Sequence, residues 1–215
     1  MSTMALEDSP QISLGAEMRS VARTRILRAA REVLVRQGVG STVDDIATAA
    51  GVSRRTVFRY FPSAGQLVAA AIAEIMDDFA TQLPTAPEPG ADIDAWLVET
   101  AIRMHRFHAE RVGRVFWDLH PGVSETMPEL AEVLATRDQL RRGWRDDVTL
   151  AAWRGCGGLG TPPPWVAHAF FLLFSPFAYN GLATSDDLES DETARISAKT
   201  LSAVLAQALV GDARR

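Results

Sequence analysis

Residues 41 to 67 run Ser41-Thr-Val-Asp-Asp-Ile-Ala-Thr-Ala-Ala-Gly51-Val-Ser-Arg-Arg-Thr-Val-Phe-Arg-Tyr60-Phe-Pro-Ser-Ala-Gly-Gln-Leu67. Val43, Ile46, Ala47 and Ala50 fall at i, i+3, i+4 and i+7, which makes one apolar stripe on a short helix. Thr42 is placed to cap that helix. Gly51 ends it where a left-handed backbone costs least, and Ser53 can cap the next one. The turn between them is about three residues long. The second helix sends Val57 and Phe61 inward and leaves Arg54, Arg55, Thr56, Arg59 and Tyr60 outside. That outer face is rich in hydrogen-bond donors for base edges and phosphates. The pattern predicts a helix-turn-helix that reads duplex DNA through Thr42, Ser53, Arg54, Arg55, Thr56, Arg59 and Tyr60.

The longer string, from Gly51-Val52-Ser53 through Thr56-Val57-Phe58 to Tyr60-Phe61-Pro62-Ser63 and Leu67, resembles the TetR family of one-component transcriptional regulators. The likeness covers roughly residues 22 to 80. Two positions depart from the family pattern. Phe58 stands where the family usually has a phosphate-touching tyrosine, and Ala64 where it usually has a phosphate-binding lysine. Backbone anchoring is thereby shifted toward Arg54, Arg55 and Arg59.

A chain of 215 residues has room for such a reader and a second helical core. The hydrophobic share of 47% and charged share of 23% are those of a globular protein, and no apolar run reaches membrane-spanning length. Met1 to Glu17 lack the pattern of a secretory signal. The lone Cys156 excludes an internal disulfide and a thiol zinc site, and it fits a cytoplasmic location. Charge is divided unevenly. From Arg19 to Phe61, nine arginines face three acids, a net of +6, which leaves −11 for the remainder of a chain whose total is −5. A basic reader on an acidic body binds phosphates at one end and is repelled at the other.

The organisation expected is a disordered arm over 1–18, the helix-turn-helix DNA-binding domain over 19–83, a linker over 84–91 with three prolines and a glycine, and an all-helical ligand-binding and dimerisation domain over 92–215. The fold class is all-α. The first helix should run from about Val21 to Gln37, the fourth from about Ser63 to Gln82, and a fifth from about Ile93 to Ala109. A broken segment then leads to a long helix from about Pro128 to Arg154, with Leu130, Val133, Leu134, Leu140, Trp144, Val148 and Ala151 on its buried side. The glycine-rich loop Gly155–Pro164 lacks a phosphate-cradling ending. Two helices close the chain, Trp165 to about Tyr179, nearly all apolar, and Asp191 to Leu209.

An apolar helix of that length needs cover, and a second subunit can supply it. The last two helices resemble those with which TetR-family subunits pair, which implies a homodimer through Phe170, Phe171, Phe174, Leu201 and Leu205. The resemblance also implies a pocket between the middle helices, with Trp96, Met104, Phe107, His108, Phe116, Trp117, His120 and Trp144 as candidate lining for a partly apolar small-molecule effector. Taken singly, the aromatic residues and Met104 are better read as core, and the resemblance is what tips the set toward a pocket. His105 and His108, three apart on one helix, can share a metal, but no carboxylates or cysteines cluster beside them. A structural or ligand-contacting role is favoured, and no metal or cofactor is implied.

Neither a nucleophile elbow nor a dinucleotide fingerprint is present, and Asp77-Asp78, Asp146-Asp147 and Asp186-Asp187 are adjacent pairs that point to different sides of a helix. No enzyme is expected. The functional expectation is a ligand-responsive transcriptional repressor, with an architectural DNA-binding protein that needs no ligand as the alternative.

Overall fold

The computed structural model describes residues 14–110, 115, 118–119 and 122–212, and among these every regular element is helical. Four helices make the N-terminal unit: α1 (Leu14–Gln37), α2 (Val43–Ala50), α3 (Arg54–Tyr60) and α4 (Ala64–Gln82). The body holds α5 (Ile93–Ala109), the short α6 (Val123–Thr126), a 3-10 turn (Pro128–Leu130), α7 (Ala131–Gly155), α8 (Pro164–Leu173), α9 (Pro176–Ser185) and α10 (Ser190–Asp212).

Helix α1 starts seven residues before Val21, so residues 14–18, expected in a disordered arm, are helical. Its stripe Ile26, Ala30, Val33 and Leu34 is buried against α2 and α4. Arg31 adds ion pairs to Glu74, at 3.3 Å, and to Asp78 on α4. Helix α4 buries Val68, Ile72, Ile75 and Phe79, and it touches α1 on one side and the 3-10 turn and α7 on the other.

The linker has no regular structure but is fastened at its start. Pro84 is buried and its carbonyl accepts from the Trp144 indole at 2.7 Å, while the Trp96 indole donates to the Thr85 carbonyl at 3.1 Å. Half-buried indoles keep their N–H groups paired, and here the linker backbone supplies two acceptors.

The penultimate segment is two helices rather than one. Pro176 lacks an N–H and its ring obstructs the preceding turn, so α8 stops at Leu173 and α9 leaves at 53° to it. The break leaves the carbonyls of Leu173 and Phe174 to side-chain donors. His105 Nε2 reaches the first at 3.1 Å, and His108 Nε2 the second at 3.2 Å. The i, i+3 spacing on α5 thus matches two successive carbonyls at the end of α8. His105 is also 2.8 Å from the Thr193 hydroxyl of α10, the helix against which α5 packs most extensively. Arg106 clamps the same pair of helices, through Nε and Nη2 to Asp191 at 2.7 and 2.5 Å. No single helix among the described residues is long and apolar enough to cross a membrane.

Burial pushes the His108 imidazole down to about 4, with nearby His105 and Arg141 adding to the effect and the Phe174 carbonyl opposing it. His105 is lowered too, again chiefly by burial. An unfolded histidine titrates near 6.5. Between about pH 6.5 and 4 the unfolded chain therefore binds more protons than the folded one, and stability falls as pH falls, by up to about 1.4 kcal/mol per pH unit for each such group. Urea midpoints are expected to drop across this window for the native chain and to drop less for His108→Gln. Equal slopes for the two would remove His108 from this account.

Candidate nucleic-acid interface

Helix α2 begins at a complete capping box. The Asp45 amide donates to Thr42 Oγ1 at 3.2 Å, and the Thr42 amide donates to the Asp45 carboxylate at 3.0 Å. The Thr42 hydroxyl donates to the same carboxylate at 2.6 Å, and this bond first, with the Thr42 amide second, holds the Asp45 carboxyl below its ordinary range. At the other end Gly51 has φ 63° and ψ 39°, the left-handed region where a side chain is strained. Its amide and that of Val52 return to the Thr48 and Ala47 carbonyls at 3.1 and 3.0 Å. The Arg25 guanidinium of α1 lies against this turn, its Nη2 only 2.7 Å from where a Cβ on Gly51 would sit.

Ser53 then caps α3, accepting from the Thr56 amide at 3.1 Å and lying 2.9 Å from the Thr56 hydroxyl. Val57 and Phe61 are buried, which turns the opposite face of α3 outward. Arg54, Arg55 and Arg59 are exposed, and Thr56 and Tyr60 half-buried. Each arginine is held differently. Arg54 pairs with Asp44 at 2.7 Å and lies 5.4 Å from the Phe58 ring. Arg59 stacks on Tyr60 at 5.0 Å. Arg55 has no ion pair among the described residues. The exposed Arg54–Asp44 pair is of the kind worth at most about 1 kcal/mol, so it yields readily to a phosphate.

Thr42 and Ser53 are engaged as caps, so what they offer a ligand is helix placement and backbone amides as much as their hydroxyls. Arg23, 4.9 Å from the Phe61 ring, and Arg25 were not among the expected site residues, yet they extend the basic surface from α3 onto α1. Their presence in the arginine-rich run of α1 was the available signal.

Helix α4 is capped by Ser63, whose Oγ accepts from the Gln66 amide at 3.0 Å and donates to Glu129 of the body at 2.8 Å. That bond lowers the Glu129 carboxyl. Gly65 makes the approach possible, because a methyl group there would collide with the Glu129 carboxylate. The reader and the body thus meet at the first turn of α4, next to Ala64.

In the body, Met104, His108 and Trp144 converge with Phe174 on one small cavity, and Phe107 lines a neighbouring groove. Trp96 lines neither and is occupied with the linker. Phe116, Trp117 and His120 lie outside the described residues. On α7 the inward stripe carries Arg137, while Leu140 and Ala151 are only half-buried. Phe170, Phe174, Leu201 and Leu205 are at most 3% exposed within one subunit, so they have no surface left to give a partner and belong to the core. Phe171, at 37%, is the exception among the residues expected at the interface.

A capped two-helix reader with a basic outer face, joined to a helical body, is an arrangement of the helix-turn-helix class. Residues 26–71 match the family model for bacterial regulatory proteins of the tetR family. The N-terminal reader is thus similar to those of the TetR family. A curated relative, the HTH-type transcriptional repressor SCO4008 of Streptomyces coelicolor, is 30% identical over 131 residues, which span 56% of this chain and 66% of that protein, a little under two thirds of its length. Among solved structures, a tetR-family transcriptional regulator from Streptomyces coelicolor superposes with a TM-score of 0.62 at 21% identity, covering 91% of this chain and 85% of that one. The multidrug binding protein EbrR, complexed with imidazole, gives 0.56 at 22% identity, covering 88% and 96%. At these identities the structural likeness speaks for the fold.

Arg55→Ala is expected to cost about 1 to 3 kcal/mol in binding to a specific site if its guanidinium reaches a base edge, with relaxed sequence preference. A uniform loss on all sequences, read by titrations at one salt concentration, would place Arg55 on phosphate instead, and no loss would remove it from the interface.

Proposed function

We propose that the chain is a homodimeric transcriptional repressor that holds a two-fold-symmetric operator and is released from it by a small molecule bound in the body. The observation that carries the reading is the outward face of α3, with Arg54, Arg55, Thr56, Arg59 and Tyr60 presented by a capped helix behind the left-handed Gly51 turn. Two such helices enter successive major grooves when their separation is roughly 34 to 36 Å. The relative SCO4008 is named a repressor, which supports that sign of regulation. EbrR is described as a multidrug binding protein, which supports a ligand site in a body of this fold.

Dimerisation is assigned to the apolar surface that one subunit leaves open. Trp165 and Leu172 on α8, and Ile196 and Val210 on α10, are 40% to 56% exposed. Apolar exposure of this extent on the closing helices is typical of an interface. Communication with the reader runs through α7, which carries cavity residues and is preceded by the turn whose Glu129 holds Ser63. A ligand shifts operator affinity only by its differential affinity for the two arrangements of that junction.

Leu172→Glu tests the assembly. On a monomer surface the change costs little, whereas within a subunit interface it buries an unpaired carboxylate. The expected result is a folded monomer in sedimentation, with operator affinity reduced at least about tenfold because the two half-sites are no longer read together. A stable dimer in this variant would move the interface elsewhere. Failure of any small molecule to release the wild-type protein would favour the architectural reading.

A further inference from the structure

The cavity in the body has a one-sided charge. Among the described residues its polar lining is His108, Arg137, Arg141 and Arg145, the rest of the wall is apolar, and no aspartate or glutamate lines it. Two of the three guanidinium groups are neutralised by the next residue in sequence: Arg137 pairs with Asp138 at 2.8 Å and Arg145 with Asp146 at 2.7 Å. Arg137 also donates to the Leu119 carbonyl at 2.6 Å. Arg141 has no ion pair among the described residues and instead lies 4.6 Å from the Phe171 ring centroid. Burial and the neighbouring Arg137 push its pKa down to about 10, with Asp138 opposing them, so at neutral pH it stays charged. A partly desolvated cation without a counter-ion is costly, and an anion entering the cavity recovers that cost.

His108 is 8% exposed and adds a second requirement. Its Nε2 donates to the Phe174 carbonyl, so in the neutral ring Nδ1 carries a lone pair, and that buried atom has no hydrogen-bond partner among the described residues. It can accept one hydrogen bond, from a donor that none of the described residues provides.

We infer that this cavity takes a singly charged organic acid with an apolar body and a hydroxyl group, its carboxylate on Arg141 and its hydroxyl donating to His108 Nδ1. The inference rests on the reading of the body as an effector site. One uncompensated guanidinium calls for a monoanion, since a phosphate dianion would carry a second buried charge with no cation left for it. Within the cavity a cationic group would face three guanidinium groups and, among the described residues, no acid; Glu99 and Glu110 lie only in the adjoining groove. The carboxylate and the planar fork of Arg141 match in the two-point geometry that favours arginine over lysine. As it stands the cavity is about 30 Å³, room for little more than a water. Met104 and Phe79 form part of its wall and also line the adjoining groove of about 480 Å³. Displacement of the unbranched Met104 side chain joins the two spaces.

The test is calorimetric titration of the full chain, without DNA, with the three hydroxybenzoate isomers, benzoate, the methyl esters of the hydroxybenzoates, and benzyltrimethylammonium. At least one hydroxybenzoate is expected to bind about tenfold or more tightly than the other probes. Arg141→Gln should abolish the preference for acid over ester, and Arg141→Lys should keep part of it. Because Arg141→Gln removes an unpaired charge, the variant should melt no lower than the native chain. The inference is overturned if no hydroxybenzoate binds, if ester or ammonium binds as well as acid, if Arg141→Gln binds acid unchanged, or if that variant melts far lower and so marks Arg141 as a packing residue. Operator release separates the two readings. Acid that binds but leaves operator bound supports the site and counts against the sensor, whereas release by a cation with no acid binding supports the sensor and overturns the anion.

Discussion

Pro176 imposes the condition around which the body is arranged. A proline there ends α8 and leaves two buried carbonyls, and a buried carbonyl without a donor costs about 1 to 3 kcal/mol. His105 and His108 meet that demand from one face of α5, so the rotation of α5 about its axis and its depth against α8 follow together. With α5 placed, its long packing against α10 and the Arg106–Asp191 clamp fall into line. The cavity is a by-product of the same arrangement. Holding the His108 ring by Nε2 turns its other nitrogen away from the helix break, and Phe174, just before that break, forms a wall beside Trp144, their rings 5.9 Å apart.

The reader is governed by more local rules. Caps at Thr42, Ser53 and Ser63 each satisfy an amide that a helix start leaves open, and the Gly51 turn sets the angle between α2 and α3. Ser63 does two things at once, since its hydroxyl accepts from its own helix and donates to Glu129. The junction with the body is therefore built onto the cap of α4, and any change in the position of Glu129 acts on the first turn of that helix.

What was legible in the sequence divides along the same line. The caps, the Gly51 turn and the inward set Val43, Ile46, Ala47, Ala50, Val57 and Phe61 depend on neighbours within a few residues, and their pattern carries them. The segment from Phe170 to Phe174 is apolar at every position, so periodicity has no phase there. Phe170 and Phe174 face the core, Leu172 faces out, and Phe171 is partly exposed against Arg141, a distinction that only the packing of the helices decides. Arg137 and Arg141 were legible in principle, because they share the spacing of Leu134, Trp144 and Val148. Charge argued against placing them inward, and their stems and the adjacent Asp138 are what make it tolerable. The roles of His105 and His108 required knowing that α8 ends at Leu173.

The fastening of the linker bears on how this protein tolerates alteration. Surface connections usually accept inserted residues because the entropy of a longer loop grows slowly with length. Here Pro84 is buried, and two indoles from α5 and α7 hold the carbonyls of Pro84 and Thr85. An added residue between them would put the two acceptors out of step with their donors and leave an indole N–H stranded. Glu88, Pro89 and Gly90 are exposed, and the turn there has no such fixed partners. A tag or reporter domain spliced into this chain would find its permissive point near Gly90, and a shift of a few residues toward α4 would place it where the two domains are pinned together.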